Sequence, residues 1–109
     1  MGKRVITMKL SEKETLLLVA ALSKLEIEQK GKIDNFIEYC SDNSAISGST
    51  LSETSITLNQ LIDNNKLQLK LLASLRQIDV PQDVVKETRF ALNFYQELRE
   101  EMKNFKPLT

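Results

Sequence analysis

Residue types that interrupt regular secondary structure are scarce in this chain. Only three glycines and two prolines occur among its 109 residues, and glycine and proline mark most turns. A many-stranded fold needs a turn about every eight to twelve residues, whereas a few long helices need only two or three connections. The scarcity of these residues therefore predicts an all-α chain.

The clearest helix start lies near the N-terminus. Ser11 and Glu14 have the spacing of a capping box, in which a hydroxyl and a carboxylate each bond a free backbone amide. The run 16–22 that follows is apolar in every direction around a helix axis. A helix of this kind is expected to be buried on all sides, either in the centre of the fold or in a subunit interface.

The apolar pattern weakens at Gly31 and then resumes. Glycine costs about 1 kcal/mol relative to alanine inside a helix, so we expect a kink or a break near 30–33. A break would separate a first helix over about 11–30 from a second over about 33–41. Residues 1–10 precede the capping box and are expected to form a flexible tail or a short extended segment.

Small polar residues fill the segment 41–50 and predict the clearest loop of the chain. Thr50 and Glu53 repeat the capping-box spacing and predict a second long helix over about 51–78. The polar run 63–66 interrupts the apolar spacing of that helix, so a local irregularity is expected there.

Pro81 is well placed in the first turn of a last helix, over about 81–105. Four apolar positions in this helix are seven residues apart, which is typical of coiled-coil-like packing: Val84, Ala91, Leu98 and Phe105. The two C-terminal helices are expected to form a long antiparallel hairpin packed on the N-terminal helix. The predicted fold is a single all-α, bundle-like domain of three to four helices over 11–109.

The composition argues against catalysis and metal binding. Histidine is absent and Cys40 is the only cysteine, so a Ser-His-Asp triad and an ordinary zinc site are both excluded. The three glycines stand alone and form no phosphate-binding loop. We therefore expect no enzyme activity, no cofactor and no metal.

Charge and hydropathy bound the partners and the compartment. Fifteen basic and fifteen acidic residues cancel, whereas a nucleic-acid-binding protein usually carries a basic excess. The longest apolar run, 16–22, is far shorter than the roughly twenty residues of a membrane span. One cysteine allows no internal disulfide and suggests a reducing compartment. We expect a cytoplasmic protein with neither a nucleic-acid nor a membrane partner.

Helices of about 25 residues are too long for a compact domain of this size. Such helices expose apolar side chains, which predicts a non-catalytic interaction protein that packs on a protein partner or on itself as a homo-oligomer. A small regulatory or inhibitory role is expected. The candidate interface residues are Leu69, Leu72, Phe90, Phe94, Tyr95, Leu98, Met102 and Phe105.

Two alternatives remain open at this point. Thr54, Ser55 and Asn59 provide small polar side chains at a helix start, as a helix-turn-helix recognition helix does. They predict a DNA-binding regulator, provided that lysines and arginines lie beside them. Small immunity proteins against bacteriocins are similar in length and helix content, which makes an immunity-like function the other alternative.

Overall fold

The computed structural model describes residues 9–42, 46–75, 80–104 and 107–108. Its elements, in chain order, are α1 (Glu12–Asp42), β1 (Ile46–Ser47), α2 (Gly48–Ser74), α3 (Gln82–Met102) and β2 (Pro107–Leu108). The all-α prediction is confirmed, as is the C-terminal hairpin of α2 and α3 with the N-terminal helix packed against it. Most of the predicted N-terminal tail, residues 1–8, lies outside the described residues.

Of the two outcomes predicted near residues 30–33, a break is wrong, because α1 continues through Gly31 as one helix of 31 residues, while a kink stays a prediction. A side chain at Gly31 would meet no atom within 4 Å. The only penalty of this glycine is therefore its poor helix propensity, about 1 kcal/mol. Burial of Ile33 and Phe36 against the rest of the fold outweighs that penalty.

The predicted capping box at the start of α1 is confirmed. The Ser11 backbone amide donates to Glu14 Oε1 at 3.0 Å, and the Glu14 amide donates to Ser11 Oγ at 3.1 Å. These bonds stabilise the carboxylate and lower the pKa of Glu14. Two of the free amides at the start of α1 are thus bonded as the sequence predicted.

The start of α2 differs from the prediction. Ser47, and not Thr50, is the N-cap: its Oγ accepts a hydrogen bond from the Thr50 backbone amide at 3.2 Å. The segment 41–50, predicted as a loop, therefore contains the end of α1, β1 and the first turn of α2, and its residues 43–45 lie outside the described residues. β1 pairs in parallel with β2, Ile46 opposite Pro107 and Ser47 opposite Leu108. This pairing sets the extended backbone of Ser47 that a cap requires.

No irregularity interrupts α2 at residues 63–66, again contrary to the prediction. The helix is continuous from Gly48 to Ser74. Asn64 and Asn65 are buried rather than solvated, and their side chains bond backbone carbonyls. The polar run therefore contributes its two asparagines to the packed interior, while Asp63 and Lys66 are exposed.

α2 is the central helix of the fold. The main apolar cluster joins the C-terminal half of α1, the N-terminal half of α2 and the C-terminal half of α3. It consists of Ile33, Phe36, Ile46, Leu58, Leu61, Ile62, Tyr95 and Met102. α1 and α3 each pack against α2 but, within the described part of the chain, hardly approach each other.

This arrangement makes the molecule broad and thin. Its principal dimensions are 52 × 40 × 19 Å, and its radius of gyration is 16.7 Å. A compact domain of this length has a radius of gyration of about 13 Å. None of the helices that the structure describes is long and apolar enough to cross a membrane.

Candidate functional site

An open groove of about 840 Å³ separates α1 from α3. Ser23, Ile27 and Lys30 are among the α1 residues that line it. The α3 wall includes Phe90 and Phe94. Ile27 and Phe90 are 72% and 77% exposed, although isoleucine and phenylalanine are among the residue types most often buried. The groove is thus an uncovered apolar surface.

The groove contains a polar network that joins all three helices. Glu26 of α1 accepts hydrogen bonds from Gln68 Nε2 at 2.9 Å and from the Tyr95 hydroxyl at 3.3 Å. Gln68 also donates to Asn64 Oδ1 and accepts from Ser23 Oγ. Because one carboxylate holds partners from α2 and α3, the network fixes the positions of the two groove walls relative to each other.

Tyr95 is the member of this network whose acidity changes most. Its side chain is 1% exposed. Burial raises the pKa of the Tyr95 hydroxyl well above its usual range, and the negative charges of Glu26 and Asp34 raise it further. Tyr95 therefore stays protonated as a hydrogen-bond donor and does not act as a base.

The rim of the groove carries charges of both signs. Lys30 and Asp34 lie on the α1 side, and Lys86 and Glu87 lie on the α3 side. Such a mixed rim has no net attraction for a phosphate or a polyanion. The groove thus combines apolar walls, a polar floor and a rim of mixed charge.

The apolar run at the start of α1 is not the centre of the fold. Leu16, Leu17 and Leu18 are 39%, 63% and 37% exposed. The expectation of central burial is therefore wrong for the isolated chain. The reason is that α2 covers one side of α1 and nothing in the described part of the chain covers the others. The expectation that this run lies in a subunit interface stays a prediction.

The predicted interface residues that the structure describes are buried, half-buried or exposed. Leu72, Tyr95 and Met102 are buried, and Leu98 is partly buried against the main cluster. Leu69 is half-buried. Phe90 and Phe94 are exposed at the groove. Phe105 lies outside the described residues. Of the seven that the structure describes, two lie on an open surface, because helical spacing does not distinguish one apolar face from another.

Within the predicted coiled-coil-like seam, Ala91 and Leu98 pack against the main cluster. Val84 is 40% exposed and lines the groove instead. The buried residues of α3 are Thr88, Tyr95 and Met102, which are also seven apart. Tyr95 and Met102 lie at four-residue offsets from Ala91 and Leu98 and belong to the same predicted seam, so the pattern included two of the three buried residues, while coiled-coil-like packing stays a prediction.

The DNA-contact candidates lie at the N-terminal end of α2. Thr54 is buried, and its hydroxyl donates to the Thr50 carbonyl at 2.8 Å, so it does not face solvent. Ser55 and Asn59 line a second cavity of about 480 Å³ together with Arg99 and Lys103. Arg99 donates to Asn59 Oδ1 at 3.1 Å. Two cations thus lie beside two of the three candidates.

Lys103 is not a free cation, because it forms an ion pair with Glu100 at 2.9 Å and lowers the pKa of that carboxyl. Cys40 packs partly buried against the main cluster, and its burial raises the pKa of its thiol. A raised pKa makes the thiol less reactive. No group of three or more metal-ligating side chains occurs among the described residues.

Sequence reasoning did not single out Ile27, nor the network residues Glu26, Asn64 and Gln68. One signal was available: Val19, Leu22, Glu26, Gln29, Ile33, Phe36 and Cys40 alternate at spacings of three and four. Polar residues at the centre of an otherwise apolar stripe indicate a buried polar contact.

Comparisons of this chain with protein-family models, with curated proteins and with solved structures find no match. The site therefore has to be interpreted from its own chemistry.

Proposed function

We propose that this chain is a non-catalytic helical interaction module. Its groove between α1 and α3 receives a helix of a protein partner or of another copy of the chain, and it acts as a small regulatory or inhibitory protein in the cytoplasm. The observation that carries this proposal is the exposure of Ile27 and Phe90 on facing walls of one groove.

The energetics favour covering this groove. A fully buried phenylalanine or isoleucine side chain stabilises an assembly by roughly 1.5–3 kcal/mol relative to an exposed one. Ile27, Phe90 and Phe94 lie together in one concave surface, where a single ligand can bury all three. An amphipathic helix has apolar residues three and four positions apart and fits such a groove. Because the chain has no histidine, acid–base catalysis by the commonest general base is not an option.

Site-specific photo-crosslinking tests this proposal. We would replace Phe90 with the photoreactive p-benzoylphenylalanine and irradiate the full chain in a soluble extract of the cells that encode it. Arg89, exposed and not part of the groove lining, is the matched control position. We expect protein adducts from position 90 that map by mass spectrometry to a helical segment, and few from position 89. Equal adduct yields at the two positions, or none, would refute the proposal.

A DNA-binding regulator is the second candidate, favoured by the position of Arg99 and Lys103 beside Ser55 and Asn59. The burial of Thr54 and the pairing of Lys103 with Glu100 weaken it. A gel shift with random duplex DNA at low salt decides between them, because phosphate contacts dominate affinity under those conditions. A salt-sensitive shift that Arg99→Ala abolishes would support DNA binding. The absence of a shift would contradict DNA binding and leave the interaction module as the remaining proposal.

A further inference from the structure

We infer that the occupant of the groove is a second copy of this chain, packed face to face so that each copy covers the groove of the other. This inference rests on the proposed function and names its partner. It is carried by the surface area of the chain and by an apolar stripe on α1 that continues from the groove wall.

The accessible surface is much larger than a chain of this mass needs. Counted over all 109 residues, including those outside the described ranges, the chain exposes 8475 Å². A compact monomer of 12.4 kDa exposes about 6,100 Å². The excess, roughly 2,300 Å² per chain, is comparable to the 1,000–2,500 Å² that each subunit buries in an obligate homodimer. A small ligand or a short peptide would cover only a fraction of it.

The chain itself carries the helix face that such a groove accepts. Leu16, Ala20, Ser23 and Ile27 are spaced by four, three and four residues, so they lie on one side of α1. Ser23 and Ile27 line the groove, while Leu16 and Ala20 are exposed and extend the same stripe toward the start of the helix. This is the residue spacing by which a helix anchors in an apolar groove.

A two-fold arrangement uses both surfaces at once. The stripe of one copy contacts Phe90 and Phe94 of the other, and the reverse contact follows by symmetry. The three helices of one copy then form one layer and those of its partner the second. Two packed layers around a shared core are the usual solution for helices with an uncovered apolar face.

Sedimentation velocity of the purified full chain, measured over a range of concentrations up to about 100 µM, tests this inference. We expect a species of about 25 kDa, twice the mass of one chain. Ile27→Glu and Phe90→Glu should each raise the dissociation constant about 100-fold or more, because a charge would replace an anchor at the centre of the interface.

The matched control is Ile56→Glu. Ile56 is also an exposed large apolar residue, at 56%, but it lies outside the groove. This variant should leave the dissociation constant within about twofold of the original. Far-UV circular dichroism establishes that all three variants keep their helices. A purely monomeric chain would overturn the inference, and so would a dimer that Ile56→Glu dissociates and Phe90→Glu does not.

Disulfide trapping tests the arrangement independently of the dissociation constant. One chain carrying Leu16→Cys and another carrying Phe90→Cys, both with Cys40→Ala, are mixed and oxidised. A face-to-face pair should give the mixed disulfide between positions 16 and 90, whereas Ile56→Cys in place of Leu16→Cys should not. Equal yields in the two mixtures would overturn the arrangement.

The two proposals fail separately. A monomeric chain whose position 90 crosslinks to a different protein removes the second copy as occupant and leaves the interaction module intact. A monomeric chain with no specific adduct at position 90 removes both.

Discussion

The two neighbouring asparagines of α2 should respond to the same substitution with opposite signs. Asn64 Nδ2 donates to the Leu22 carbonyl of α1 at 2.9 Å, and its Oδ1 accepts from Gln68. Asn65 is fully buried and donates only to the Leu61 carbonyl one turn earlier, while its Oδ1 has no partner. The first side chain therefore stabilises the fold, and the second leaves a buried acceptor unsatisfied.

The magnitudes follow from these contacts. Asn64→Ala removes two hydrogen bonds of about 1 kcal/mol each and gains about 0.6 kcal/mol of helix propensity, for a net destabilisation of roughly 1.5 kcal/mol. Asn65→Ala removes one local bond but also the unsatisfied acceptor, whose burial costs about 1–3 kcal/mol. With the same propensity gain, and with about 0.7 kcal/mol lost to the cavity that this fully buried side chain leaves, Asn65→Ala should stabilise the chain by roughly 1 kcal/mol.

Urea unfolding followed by circular dichroism at 222 nm measures both changes in the free energy of unfolding. The variants must be compared at one protein concentration, because association contributes to apparent stability. Midpoints of thermal unfolding should differ by roughly 10 °C between the two variants. If Asn65→Ala destabilises the chain as much as Asn64→Ala, the reasoning from the unpaired oxygen is wrong.

Three further predictions concern single positions. Gly31→Ala should raise the free energy of unfolding by about 0.8–1 kcal/mol, because the added methyl group meets open space; a loss of stability in urea would contradict an uninterrupted α1. Ser47→Ala should lower the free energy of unfolding by about 1 kcal/mol and Thr50→Ala by less, because Ser47 caps α2. A larger loss for Thr50→Ala in urea unfolding would instead support Thr50 as the cap, as the sequence predicted. Burial raises the pKa of the Tyr95 hydroxyl in the folded chain above 10, the ordinary tyrosine value. The contribution of Tyr95 to the free energy of unfolding is therefore complete below pH 10 and is lost as the pH rises above 10, because the unfolded chain then loses the proton more readily than the folded chain. Tyr95→Phe should make Tm fall less steeply with pH above pH 10. An unchanged slope of Tm against pH would argue against a raised pKa of Tyr95.

The helices were predictable because their local signals agree. Few turn residues, the cap at Ser11 and the proline at position 81 all favour the same three long segments. Local signals were insufficient where two effects compete. The helix-propensity penalty of Gly31 is smaller than the stability that α1 gains by packing on either side of it. The choice between Ser47 and Thr50 as the N-cap of α2 depends on a strand pairing with residues 107–108, which are distant in sequence.

The candidate site was only half predictable for a different reason. Phe90, Phe94 and Tyr95 all looked like interface residues, yet Tyr95 is buried and the two phenylalanines are not. Periodicity identifies the apolar sides of a helix but not which neighbour covers each side. The same limit applies to Ile27, because the sequence of a helix with apolar residues on every side does not indicate which side faces the core.

The buried apolar residues are concentrated at one end of the molecule, so we expect its two ends to differ in local unfolding. Its large apolar cluster lies at one end, where Phe36, Leu58 and Met102 meet, while the other end relies more on the polar contacts around Glu26. Local unfolding free energy follows the density of buried apolar contacts. Amide hydrogens in the first turns of α1 should therefore exchange with solvent through partial opening, and those around Leu58 only when the whole chain unfolds.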